Sequence, residues 1–108
     1  MTDRHGIGRK MEREAMHYAW ANYSWKGLWQ PPRGKFASQD IWGVFDFLAI
    51  ERDHTIVGVQ VCQDRACWVR ARIQAIDKWI IAMDEPDIVG WVMAYKRAKD
   101  GSVTWTLY

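Results

Sequence analysis

Cysteine is nearly absent: Cys62 and Cys67 are the only two in 108 residues. Without C-x-x-C spacing or a nearby histidine they make neither a zinc site nor a disulfide framework, and buried, reduced thiols are expected. No apolar run approaches the roughly 20 residues of a membrane span. The polar start lacks the apolar core of a signal peptide, so a cytoplasmic location and no membrane partner are expected. Internal repeats and low-complexity tracts are missing as well. Charge of one sign is also lacking. Fifteen Lys and Arg face thirteen Asp and Glu, for a formal charge of +2, and so small an excess says little about partners. His5, His17 and His54 stand apart from one another, which suits surface or packing roles better than a general base.

What is present is the composition of a globular protein, 49% apolar and 26% charged. The length suits one domain, 1–108, small enough to gain from a partner chain. The basic residues are grouped. Arg4, Arg9, Lys10 and Arg13 crowd the start, Lys26, Arg33 and Lys35 form a middle group, and Arg65, Arg70, Arg72 and Lys78 come later. Such grouping fits a nucleic-acid surface and equally an ordinary solvated face. Eight tryptophans are an excess. Core or dimer packing is the first explanation, but Trp25, Trp29 and Trp42 fall in loop-like sequence, where rings can also serve an interface or stack on bases.

Residues 8–23 place Met11, Ala15, Tyr18 and Ala19 at helical spacing, with charges opposite. Gly27 and Pro31-Pro32 end that segment and impose a loop or short extended piece through Phe36. VFDFLAI (44–50) and TIVGVQVC (55–62) read as strands joined by a turn at Glu51–His54. From Ala66 to Met83, Val69, Ile73, Ile76, Ile80 and Met83 recur as one face of an amphipathic helix that ends before Pro86. Ile88–Tyr95 reads as a buried strand, Lys99-Asp100-Gly101 as a hairpin turn, and Val103–Leu107 as a last alternating strand. The order α–(β)–β–β–α–β–β predicts an α/β domain, a mixed central sheet with helices on its faces.

Two of these strands each hold a polar group out of place: Asp46 between Phe45 and Phe47, and Gln60 between Val59 and Val61. A turn centred near residue 53 sets Asp46 opposite Gln60, on one face, with Cys62 two residues along. One reading is a carboxylate–amide pair in which each group satisfies the other. The other is an oxygen site for a hard divalent cation. Mg²⁺ takes one or two carboxylates with amide or backbone carbonyls and keeps several waters. Asp46, the Gln60 amide oxygen and the Val61 carbonyl would supply such a set, completed by Glu12 if the first helix packs alongside. The acidic group Asp84-Glu85-Asp87 lies at a helix end beside Pro86 and offers no fixed geometry for a metal.

The succession of a helix with Glu12, a loop with Ser38, GVFDFLAI, VGVQVC and a basic helix resembles the PD-(D/E)xK nuclease superfamily. Within it the closest likeness is to archaeal-type Holliday-junction resolvases and related small phage and bacterial nucleases. The correspondence runs from Gly8 to Leu107 and is most specific over 43–62. It implies a restriction-endonuclease-like sheet, a phage or viral origin as an alternative to a cellular one, and a symmetric homodimer acting on branched DNA. Glu12 matches the helix glutamate and Asp46 the metal-binding aspartate. Gln60 stands where the family has Glu or Asp, and Cys62 where it has Lys. The resemblance therefore implies Mg²⁺ or Mn²⁺ held by Glu12, Asp46, Gln60 and Val61, with Glu12, Asp46, Gln60 and Cys62 as the catalytic positions. Arg9, Lys10, Arg33, Lys35, Ser38, Arg70 and Arg72 are the expected DNA contacts. The two departures leave open a DNA-binding protein with weak or no hydrolysis, and a non-enzymatic protein-interaction module remains a third reading.

Overall fold

A computed structural model describes residues 4–31, 41–42, 44–84 and 87–108. The chain runs α1 (Arg4–Asn22), β1 (Gly27–Trp29), β2 (Phe47–Ile50), β3 (Ile56–Gln63), α2 (Ala66–Met83), β4 (Ile88–Arg97) and β5 (Val103–Leu107). The strands form one mixed sheet in sequence order. β1, β2 and β3 are successively antiparallel, β4 returns parallel to β3, and β5 closes antiparallel to β4. A parallel return needs a long crossover, and α2 provides it. This is the α/β architecture expected, a mixed sheet flanked by helices.

Strand alternation divides the core in two. Phe47, Ala49, Val57, Val59 and Met93 point to one face, where Ala15 and Ala19 of α1 and Trp25 close over them. Cys62, Val92 and Ala94 point to the other, where Val69 and Ile76 of α2 meet them together with Phe45. Small residues set these distances. A Cβ on Gly58 would lie 2.6 Å from the Phe45 ring, and one on Gly90 only 2.2 Å from Ile76 Cγ2. Glycine at both positions lets a ring and a helix seat directly on the backbone.

α2 spans the expected residues, and its αL cap is Asp84, whose N–H returns to the Ile80 carbonyl. Two expectations are corrected. β2 begins at Phe47 rather than Val44, and Cys67 is exposed whereas Cys62 is buried, both as free thiols. Cys67 lies in the first turn of α2, on the side away from the sheet.

Candidate functional site

The chain entering β2 is turned before it is paired. Ile41 N–H donates to the Phe45 carbonyl at 2.7 Å, and Val44 and Phe45 both return N–H groups to the Ile41 carbonyl. Trp42 takes a left-handed φ of 53° within this turn and stacks on Trp79 of α2, ring centroids 5.2 Å apart. A bulky residue in that region is strained, and the stack holds it there.

The expected register is present, with Phe47 opposite Val59. One residue earlier it breaks. Asp46 N–H also donates to the Val59 carbonyl, at 2.7 Å, so Asp46 and Phe47 together oppose one residue. Two against one is a β-bulge, a device that re-aims a side chain at a strand end. The Phe45 carbonyl accepts from Ile41, and the Val61 N–H does not go to it. The carboxylate takes its place, and Asp46 Oδ2 accepts the Val61 N–H at 2.7 Å. Asp46 therefore brackets Gln60, bonded to the residue on each side of it.

Gln60 does not pair with Asp46 as the carboxylate–amide reading expects. Its Nε2 donates to the Val44 carbonyl. Its Oε1 is buried and has no hydrogen-bond partner, in a side chain only 8% exposed. Buried amide oxygens are nearly always satisfied, and an orphan of this kind marks a place for an ion or a water. Cys62 follows on the same face, 5% exposed. Burial pushes its thiol above the ordinary range. The Arg72 charge opposes that rise, while Asp64 and Asp46 add to it. The thiol is neutral at pH 7 and carries no positive charge where the resemblance expects an ammonium.

Glu12 is carried by α1. It lies on the helix over the opposite face, at the i, i+3 and i+7 spacing that it shares with Ala15 and Ala19, and it is buried. Gln30 Nε2, just beyond β1, donates to its Oε1 at 2.6 Å. Among the described residues no three His, Cys, Asp or Glu come together as a metal-holding group. Hence Asp46, Gln60, Val61 and Cys62 come together where β2 enters its pairing with β3, and Glu12 is buried on α1 with Gln30 as a partner.

Of the expected DNA contacts, Lys10, Arg70 and Arg72 are exposed, the first on α1 and the others on α2. Arg33, Lys35, Ser38 and the Arg9 side chain lie outside the described residues, as do Glu85 and Pro86. Of the three loop-like tryptophans, Trp25 is core, Trp29 projects 53% exposed from β1, and Trp42 is half covered by its stack on Trp79. No helix among the described residues is long and apolar enough to cross a membrane. Sequence reasoning missed Gln30 and, on the exposed α1 row that begins with the expected Lys10, the residues Arg13, His17 and Trp20. Helical spacing alone was signal enough for that row. The chain matches no protein-family model, no curated protein and no solved structure.

Proposed function

We propose that this chain is a metal-dependent, structure-selective DNA endonuclease of the resolvase type, acting as a homodimer on branched DNA. One observation carries the reading. The unpartnered Gln60 Oε1 sits at the residue that Asp46 brackets, where the nuclease resemblance expects its acids. The order helix, antiparallel hairpin, basic helix and parallel return strand supports the same reading.

Asp46 and the Gln60 amide oxygen are the oxygen donor types that a hard divalent cation such as Mg²⁺ or Mn²⁺ takes while keeping several of its waters. When bound, such an ion polarises a phosphodiester and lowers the pKa of attached water. The chain's own residues position and bind. The bulge fixes Asp46, the Val44 carbonyl fixes Gln60 through its amide nitrogen, and Arg70 and Arg72 offer cations to phosphates without reading sequence.

Cys62 favours a second reading, DNA binding without hydrolysis, because a buried neutral thiol neither orients water nor neutralises phosphate. A labelled four-way junction and a linear duplex, incubated with Mg²⁺, Mn²⁺ or chelator, separate the two. Metal-dependent paired nicks in the junction, lost in Asp46→Asn, are the expected result. Salt-sensitive binding without nicks, with cleavage gained in Q60E/C62K, establishes the second reading. Binding and cleavage both absent, in wild type and double variant alike, overturn the two together and leave a protein-interaction role.

A further inference from the structure

We propose a second nucleic-acid surface, a groove between α1 and the edge strand β1 that takes single-stranded nucleic acid by stacking a base on Trp20. It extends the nucleic-acid reading given above and shares Lys10 with its expected contacts, but it otherwise stands on separate residues at the other helix.

The groove is open to solvent, with a volume of about 640 Å³, and is lined by Arg13, Met16, His17, Trp20, Leu28 and Gln30. Gly27 also lines it. That volume belongs to small-ligand clefts, the scale of an unstacked base with its sugar rather than of a duplex face. Trp20 is 56% exposed at its rim and presents a ring to whatever enters. Lys10, Arg13, His17 and Trp20 recur every three or four residues, so they share one line along the helix, and all four are exposed. Cations therefore lead into an aromatic platform, the combination that holds single strands regardless of sequence. Among the described lining residues there is no carboxylate. The nearest buried acid, Glu12, accepts from Gln30 Nε2 at 2.6 Å and so fixes the amide that forms the groove's inner wall.

Charge decides against a second copy of the chain as occupant. A two-fold interface sets the same patch against itself, which would bring two rows of Lys10 and Arg13 together. A polyanion meets the same row with attraction. Trp29 provides an internal control. It is exposed, but alternation along β1 turns it away from Leu28, which lines the groove.

Fluorescence anisotropy of a labelled oligothymidylate, titrated at several salt concentrations, tests the proposal. Trp20→Ala lowers affinity about tenfold, from a loss of base stacking worth roughly 1.4 kcal/mol, while Trp20→Phe retains most of it and Trp29→Ala leaves it unchanged. K10A/R13A flattens the log–log salt dependence by roughly 0.7 per cation removed. The proposal is overturned if Trp20→Ala and K10A/R13A bind as wild type. It is equally overturned if only R70E/R72E abolishes binding, if Trp20→Ala changes the sedimenting mass instead, or if the wild type does not bind. The first three of these outcomes leave the nuclease reading intact, because junction binding and cleavage are measured separately.

Discussion

A carboxylate that replaces a carbonyl in a ladder has two separable roles, and Asp46 holds both. Its Oδ2 terminates the β2–β3 pairing by accepting the Val61 N–H at 2.7 Å, and its charge makes the strand end attractive to a cation. Asparagine keeps an acceptor of the same shape and removes only the charge. Alanine removes the acceptor and leaves a part-buried N–H unpaired, a desolvation cost of about 1–3 kcal/mol. Urea denaturation is therefore expected to find Asp46→Ala destabilised by about that amount and Asp46→Asn by about 1 kcal/mol or less. Equal destabilisation of the two variants would show that charge, not hydrogen bonding, fixes the bulge. The orphan at Gln60 is the complement of this arrangement. Its nitrogen is consumed by the Val44 carbonyl, so the amide cannot rotate to satisfy its oxygen without abandoning that bond.

At the scale of elements, two turns are held by carboxylates that acid protonates. Asp53 accepts the Thr55 N–H at 3.0 Å, and Asp100 accepts both the N–H and the hydroxyl of Ser102. These hydrogen bonds hold both carboxyls below the ordinary range. A depressed native pKa gives a contribution that is fully present above the unfolded carboxyl pKa and is lost as pH falls through the native one. Amide exchange at Thr55 and Ser102 is expected to quicken over that acid window, with the central strand amides unchanged. Asp100→Asn should remove the window at Ser102 alone. The sequence shows α2 and β5 to the residue because one face of each is apolar at an unbroken period. It overstates β2 because alternation through Val44–Phe47 is blind to a turn closed by backbone bonds and to a bulge. It gives β1 only as a loop or short extended piece because three residues, GLW, carry no period, and pairing with β2 makes them a strand. The register that sets Phe47 opposite Val59 is legible from the turn centre, but the bulge that shifts Asp46 onto Val59 and the bonding of Gln60 are not, since backbone groups compete for both side chains. The burial of Glu12 was written in its spacing with Ala15 and Ala19, which places it on the buried stripe of α1.

At the scale of the molecule, the sheet divides the surface into two fields. α1 covers the face built on Val57 and Val59, and α2 the face built on Cys62 and Val92. Lys10, Arg13 and Trp20 are thus carried by the helix over one face of the sheet, and Arg70 and Arg72 by the helix over the other. Sites on different helices with no shared partner are energetically independent, to within about 0.3–0.5 kcal/mol. The substrate, however, can couple them. A short oligothymidylate engages one field, so the losses from K10A/R13A and from R70E/R72E are expected to be unequal, the first large and the second close to nothing. A branched DNA has arms enough to reach around the sheet and engage both. There each pair of substitutions is expected to weaken binding, and the combined variant to lose the sum of the two in free energy within the limit for independent sites. Each pair should also lower the salt slope by its own number of released counterions, roughly 0.9 per duplex phosphate. A combined loss no larger than the greater single loss would mean that one arm visits the two fields in turn and never together. That result would confine junction recognition to one helix, because simultaneous contact is what makes a branched substrate bind more tightly than its arms do singly.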